Sequence, residues 1–121
     1  MGMHAEFKLE EIDHFIGTLR WYRHALDRDI LFTEGVQFLA ERAGAYWLLD
    51  EIVIAQKMLA RLKCEQFQAW TLIVKGSSAV LRCDDGNDHV LFEKAIEYTD
   101  FPAPGFKLYF TDDVIMLPSE Y

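Results

Sequence analysis

Residues Ala43-Gly44-Ala45-Tyr46-Trp47-Leu48-Leu49-Asp50-Glu51-Ile52-Val53-Ile54 read as the start of a helix that is apolar almost all round. A helix of that kind belongs in the middle of a packed domain, with neighbours on most of its circumference. Two adjacent carboxylates, Asp50 and Glu51, interrupt it, and a charge held against a core needs a partner. The stretch therefore implies a compact layered fold and marks one place where ionisable groups must be paired or put to use.

A chain of 121 residues, 51% of them hydrophobic, suits one domain that folds without a metal or a disulfide. No apolar run approaches the roughly 20 residues of a membrane span. The charged start through Glu6 and Lys8 does not read as a signal peptide, and Glu6 rules out a myristoylation site after Met-Gly. The expected location is the cytoplasm, away from membranes. Cys64 and Cys83 stand outside any Cys-x-x-Cys spacing, so reduced thiols and no cofactor are expected. A formal net charge of −8 opposes direct binding to nucleic acid and suits a basic protein partner.

The apolar period changes near Cys64. Before it the spacing is helical. Leu9 to Ile16 form a short amphipathic helix, and Gly17 to Phe32 read as an ordered connection crowded with polar and aromatic groups. Thr33 is a good N-cap and Glu34 suits the positive end of the following helix dipole. Gly44 kinks that helix or separates it from the next, which runs from Ala45 to about Arg61.

After Cys64 the period is two. Gly76-Ser77 is a hairpin turn that pairs Trp70 with Cys83, Leu72 with Leu81 and Val74 with Ala79, all on one face. Val90 and Phe92 are expected on that face too. Further strands follow around Phe106 to Phe110 and from Val114 to Leu117. The predicted fold is α+β in one domain over residues 1–121. Its helical part, residues 1–63, packs on one face of an antiparallel meander of four to five strands over residues 64–121. The second sheet face carries Phe67, Ile73, Val80, Leu91 and Tyr109 among Arg82, Glu93 and Lys107. That is too apolar to leave in water, so either the N-terminal helix or a second subunit covers it, and a homodimer is one expectation.

Four features could carry chemistry. Paired with Trp70, Cys83 reads as a small core residue and not a nucleophile. Glu11 and His14 have the spacing of two metal ligands on one helix face, but a carboxylate-bridged bundle needs that motif twice, so a solvated face is the simpler reading. In a meander the turn at Asp84, Asp85 and Asp88 shares a sheet end with Asp112-Asp113, near Glu65 and His89. Those five aspartates could ligate a hard cation, although the calcium-loop spacing is absent and hairpin turns favour Asp for backbone reasons. A contact surface for basic residues is preferred, with Trp21 and Tyr22 as further contact residues. The fourth feature is Arg23 and His24 beside Asp50 and Glu51. A His–carboxylate pair can do acid–base work, but an Arg–carboxylate bridge that locks the irregular segment onto the long helix ranks above catalysis.

Several segments resemble an uncharacterised family of small bacterial, plasmid and phage proteins. They are Trp21-Tyr22-Arg23-His24, Phe32-Thr33-Glu34-Gly35-Val36, Ala43-Gly44-Ala45-Tyr46-Trp47-Leu48-Leu49-Asp50-Glu51-Ile52, Phe67-Gln68-Ala69-Trp70, Thr99-Asp100-Phe101-Pro102 and Val114-Ile115-Met116-Leu117-Pro118-Ser119-Glu120-Tyr121. The resemblance implies a mobile-element setting and an accessory role, and it transfers no substrate or catalytic residue. The leading expectation is a small non-enzymatic interaction or regulatory protein, in one form an acidic inhibitor of a nucleic-acid-binding host protein. The alternatives are a small hydrolase-like enzyme using His24 with Asp50 or Glu51, and a structural homodimer subunit.

Overall fold

A computed structural model describes residues 20–121. The predicted helix over 9–16, with Glu11 and His14, lies outside the described residues. Two short strands come first, β1 (Trp21–Arg23) and β2 (Leu31–Thr33). Helices α1 (Glu34–Ala43), α2 (Tyr46–Met58) and the single turn α3 (Ala60–Lys63) follow. The chain then forms β3 (Phe67–Lys75), β4 (Ser78–Asp84), β5 (Val90–Ile96), β6 (Gly105–Thr111), β7 (Val114–Met116) and a 3-10 turn at Pro118–Glu120. The strands make a seven-stranded mixed sheet in the order β1-β2-β7-β6-β3-β4-β5.

The four- to five-stranded antiparallel meander beneath N-terminal helices is therefore incorrect, for two physical reasons. First, β1 and β2 precede the described helices and extend the sheet. Three-residue strands are too short to show an alternating period, and their pairing is non-local. Tyr22 stacks on Phe32 at 5.6 Å, and β2 runs parallel to β7 with Phe32 opposite Ile115. Second, β6 does not lie beside β5 but returns to the free edge of β3. The preceding loop crosses the sheet end, where Thr99 N–H donates to the Ser77 carbonyl and Val74 N–H to that of Pro104. Gly105 makes that entry sterically feasible. Its φ is +112°, and a Cβ there would lie 1.8 Å from the Leu72 carbonyl oxygen, so every L side chain is excluded.

The described helices cover one sheet face. Val36 and Leu39 of α1, Leu49, Ile52 and Val53 of α2, and Leu62 of α3 join Trp70, Leu72, Leu81, Cys83, Leu108 and Ile115 in one buried cluster. Each such Leu or Ile contributes about 1.5–3 kcal/mol by leaving water. The predicted register holds: Trp70 faces Cys83, Leu72 faces Leu81 and Val74 faces Ala79. Burial pushes the Cys83 thiol up to about 12, as befits a core residue. The register of β5 departs from expectation. A bulge opposite Cys83 and Asp84 leaves Leu91 unpaired and sets Val90 opposite Asp84. Leu91 consequently packs against the core, and Val90, expected inside, is 55% exposed.

One buried polar pair lies beneath α2. Gln56 and Gln68 exchange amide hydrogen bonds of 2.6 and 3.1 Å. Their orientation is forced, because Trp70 Nε1 is only a donor and bonds Gln68 Oε1, while the Leu62 carbonyl is only an acceptor and takes Gln68 Nε2.

The 3-10 turn closes the fold. The Thr33 hydroxyl caps α1 by accepting from Val36 N–H and donates to Glu120 Oε1 at 2.6 Å. Glu120 also accepts from Gly35 N–H and Leu117 N–H, so its carboxylate sits against the N-terminus of α1. Gly35 makes room for this contact, since a Cβ there would lie 2.7 Å from the carboxylate and 2.6 Å from Leu117 Cδ1. Glu120→Ala is expected to lower the unfolding free energy by about 2 kcal/mol, the scale of lost charged hydrogen bonds. Urea denaturation of the variant measures this directly, and a loss below a few tenths would show the clamp to be idle.

Candidate functional site

His24 follows β1 as a buried residue, at 5% exposure. Its Nε2 lies 2.9 Å from Asp50 Oδ1 on α2, and Leu26 N–H donates to its Nδ1 at 3.0 Å. A backbone donor on Nδ1 puts the ring proton on Nε2, where it is donated to the carboxylate. Both ring nitrogens are thus engaged, and neither offers a lone pair to a substrate. Arg23, by contrast, turns to the Arg28 carbonyl at 2.8 Å and meets no carboxylate of α2. Glu51 pairs with Lys94 of β5 at 2.9 Å. The two adjacent carboxylates of α2 therefore serve different strands. Asp50 holds the β1–β2 connection, and Glu51 holds the opposite edge of the sheet.

The acidic turns do share one end of the sheet, though not through a meander. Ala69 faces Asp84 across the β3–β4 pair, and Phe67 faces Thr111 across the β3–β6 pair. The turns after β4 and β6 consequently flank the start of β3. Asp112 and Asp113 both have positive φ, 53° and 61°, as a two-residue hairpin with primed geometry demands. Asp113 also offers its carbonyl to Leu31 N–H, which ties this turn to β2.

That tie brings in residues the sequence did not single out. A cleft of about 750 Å³ opens between the β1–β2 connection, α3 and the β6–β7 turn. Among the described residues five carboxylates line it (Asp27, Asp29, Glu65, Asp112 and Asp113), with Lys63 as the one cationic side chain. Gln56, Gln68, Leu62 and Phe110, all buried, supply its inner wall. None of the five carboxylates is in an ion pair with a described residue. Among the described residues no three His, Cys, Asp or Glu side chains converge as a metal site. A signal for the inner wall was present: Gln68 sits on the alternation that carries Trp70, Leu72 and Val74, and Gln56 lies on the helical stripe of Leu49, Ile52 and Val53.

Asp84, Asp85 and Asp88 stand across β3 from this cleft. Asp84 Oδ1 accepts from Gly86 N–H, and Asp85 Oδ1 accepts from Asn87 and His89 N–H. Asp85 Oδ2 pairs with His89 Nδ1 at 2.9 Å. The Asn87 amide first, and then His89, hold the Asp85 carboxyl below its usual range, while the bond to Asp85 raises His89. A lowered carboxyl supports the loop above its unfolded pKa and loses that support as pH falls through its folded pKa. A raised His supports it below its unfolded pKa and loses that support as pH rises through its folded pKa. The loop is therefore tightest between about pH 4 and 6.5. In an NMR titration His89 is expected above the ordinary histidine range, returning to it in Asp85→Asn.

Among the described residues no helix is long and apolar enough to cross a membrane. No curated protein and no solved structure matches the chain. One family does, over residues 6–121, and it is a family of unknown function. Its span takes in the Thr33–Glu120 clamp, Gly105 and the acidic cleft together, and the chain belongs to this family, DUF6876.

Proposed function

We propose that this chain is a small non-enzymatic interaction protein of bacterial mobile-element origin that engages a basic partner protein through the acidic end of its sheet. The observation that carries this reading is the cleft with five carboxylates that have no ion-pair partner among the described residues. A concave site lined by one sign of charge concentrates its field and favours a cationic partner. Its volume falls within the usual range for occupied pockets, so a protruding arginine or lysine fits the space. The two aspartates at positive φ add support, because a strained turn that Asn or Gly would relieve carries charge instead. In its narrower form the partner is a nucleic-acid-binding host protein, with the carboxylates standing where phosphates would.

His24 and Asp50 support the same reading from the other side. With both imidazole nitrogens bonded, the pair serves to hold the β1–β2 connection at the rim of the cleft.

The test is copurification of the tagged protein from its native host, at low and at high salt. A specific partner is expected to be retained at low salt, released as salt screens the site, and weakened on the order of ten-fold by Asp29→Asn, Asp112→Asn and Asp113→Asn together. Asn tolerates the left-handed conformation, so the turn survives. A partner indifferent to both treatments would remove the reading. Asp113→Gly separates fold from function: it is expected to stabilise the protein by about 0.5 kcal/mol while weakening partner binding.

A further inference from the structure

The helices lie on one face of the sheet, and among the described residues no element lies on the other. At one end the Tyr121 ring packs against Phe67 and Tyr109, and the turn at Gly86 lies close to the Phe67 ring. The rest of that face presents Ile73, Val80, Met116 and the exposed Val90, with Trp21 at its edge. The strands offer roughly 600 Å² of flat area per subunit at ordinary rise and spacing. Two such faces together reach about 1,200 Å², the lower limit of a standard stable interface. The face also stands apart electrostatically. It carries Arg23, Lys75, Arg82 and Lys107 against Asp84 and Glu93, whereas the chain as a whole is at −8. Acidic molecules that repel elsewhere can approach here.

The register shows what the face matches. Lys107 lies opposite Thr71, Thr71 opposite Arg82, and Arg82 opposite Glu93, so one row across β6, β3, β4 and β5 reads Lys–Thr–Arg–Glu. A two-fold axis parallel to the strands, between β3 and β4, reverses that row over itself. Lys107 of each copy then meets Glu93 of the other, and Arg82 meets Thr71. Within each copy Arg82 already bonds Glu93 at 2.7 Å, so Lys107 brings a second cation to that carboxylate. The next row, Gly105, Ile73, Val80 and Ala95, is apolar and places Ile73 over Val80. Self-complementarity under a two-fold axis is the condition for an isologous dimer, and sheets do pack face to face with nearly aligned strands.

We propose that a second copy of this chain covers the open face, giving a dimer with two sheets inside and two helical layers outside. The proposal is independent of the acidic cleft, which lies at the sheet end. Sedimentation or light scattering of the full chain at micromolar concentration is expected to show a dimer. Lys107→Glu and Glu93→Lys, at exposed positions, are each expected to weaken it more than ten-fold while leaving the circular dichroism melt cooperative. An equimolar mixture of the two variants is expected to recover a heterodimer, because one of its two Lys107–Glu93 contacts is restored with the charges exchanged. A wild-type monomer overturns the proposal and leaves residues 1–19 or a different partner as the cover. A dimer insensitive to both substitutions, or variants that do not complement on mixing, also overturns it.

Discussion

The carboxylate of Glu120 is the contact on which the rest of the architecture rests. It accepts from Thr33, Gly35 and Leu117, and so joins the 3-10 turn to the start of the first described helix. Beside it β2 pairs with β7 through only two residue pairs, Leu31 with Val114 and Phe32 with Ile115. A parallel ladder that short contributes little by itself. The clamp, the Tyr22–Phe32 stack and the Leu31–Asp113 bond together hold the β1–β2 hairpin at the sheet edge. Asp27 and Asp29 belong to that hairpin, so the acidic cleft exists only because the hairpin is held.

Much of the central sheet was legible in the sequence because local rules decide it. Gly76-Ser77 sets a tight turn, the turn sets register, and register puts Trp70, Leu72, Val74, Ala79, Leu81 and Cys83 on one face. The Thr33 cap and the shared end of the two aspartate turns were legible for similar reasons. What stayed hidden depends on distant partners. β1 and β2 look irregular because Trp21-Tyr22-Arg23 has no room for alternation, and their strand character comes from their pairing with each other and from that of β2 with β7. The return of β6 to β3 hinges on a backbone approach at Gly105, a position that in sequence resembles any loop glycine. The bulge at Leu91 exchanged two side chains between faces because the turn after Asp84 admits more than one register. For the candidate site, the carboxylates of two turns could be foreseen, but Asp27 and Asp29 could not, since their place follows from the non-local hairpin.

Asp50 and Glu51 show how an apolar helix tolerates charge. Each carboxylate leaves the helix toward a different partner, His24 at one flank and Lys94 at the other. Both are partly open to water, which limits their cost and also their worth. Their effect is geometric. They pin the orientation of α2 across the sheet while Ile52 and Val53 beyond them stay fully buried. The Gln56–Gln68 pair does the same further along the helix, with hydrogen bonds in place of charges.

The parallel pairing of β2 with β7 has a bearing on biosynthesis. A chain emerging from the ribosome makes β1, β2 and the cap of α1 early, yet the strand and carboxylate that complete them come from residues 114–120. Until those residues emerge, the β1–β2 hairpin has no sheet to join and Thr33 has no acid to meet. Closing so long a loop carries an entropic cost and slows folding. The β3–β4 hairpin, with the best local register, is thus the natural nucleus. The first described strands are then the last to dock, and a stall or a proteolytic cut before Val114 strips the molecule of its opening strands as surely as of β7.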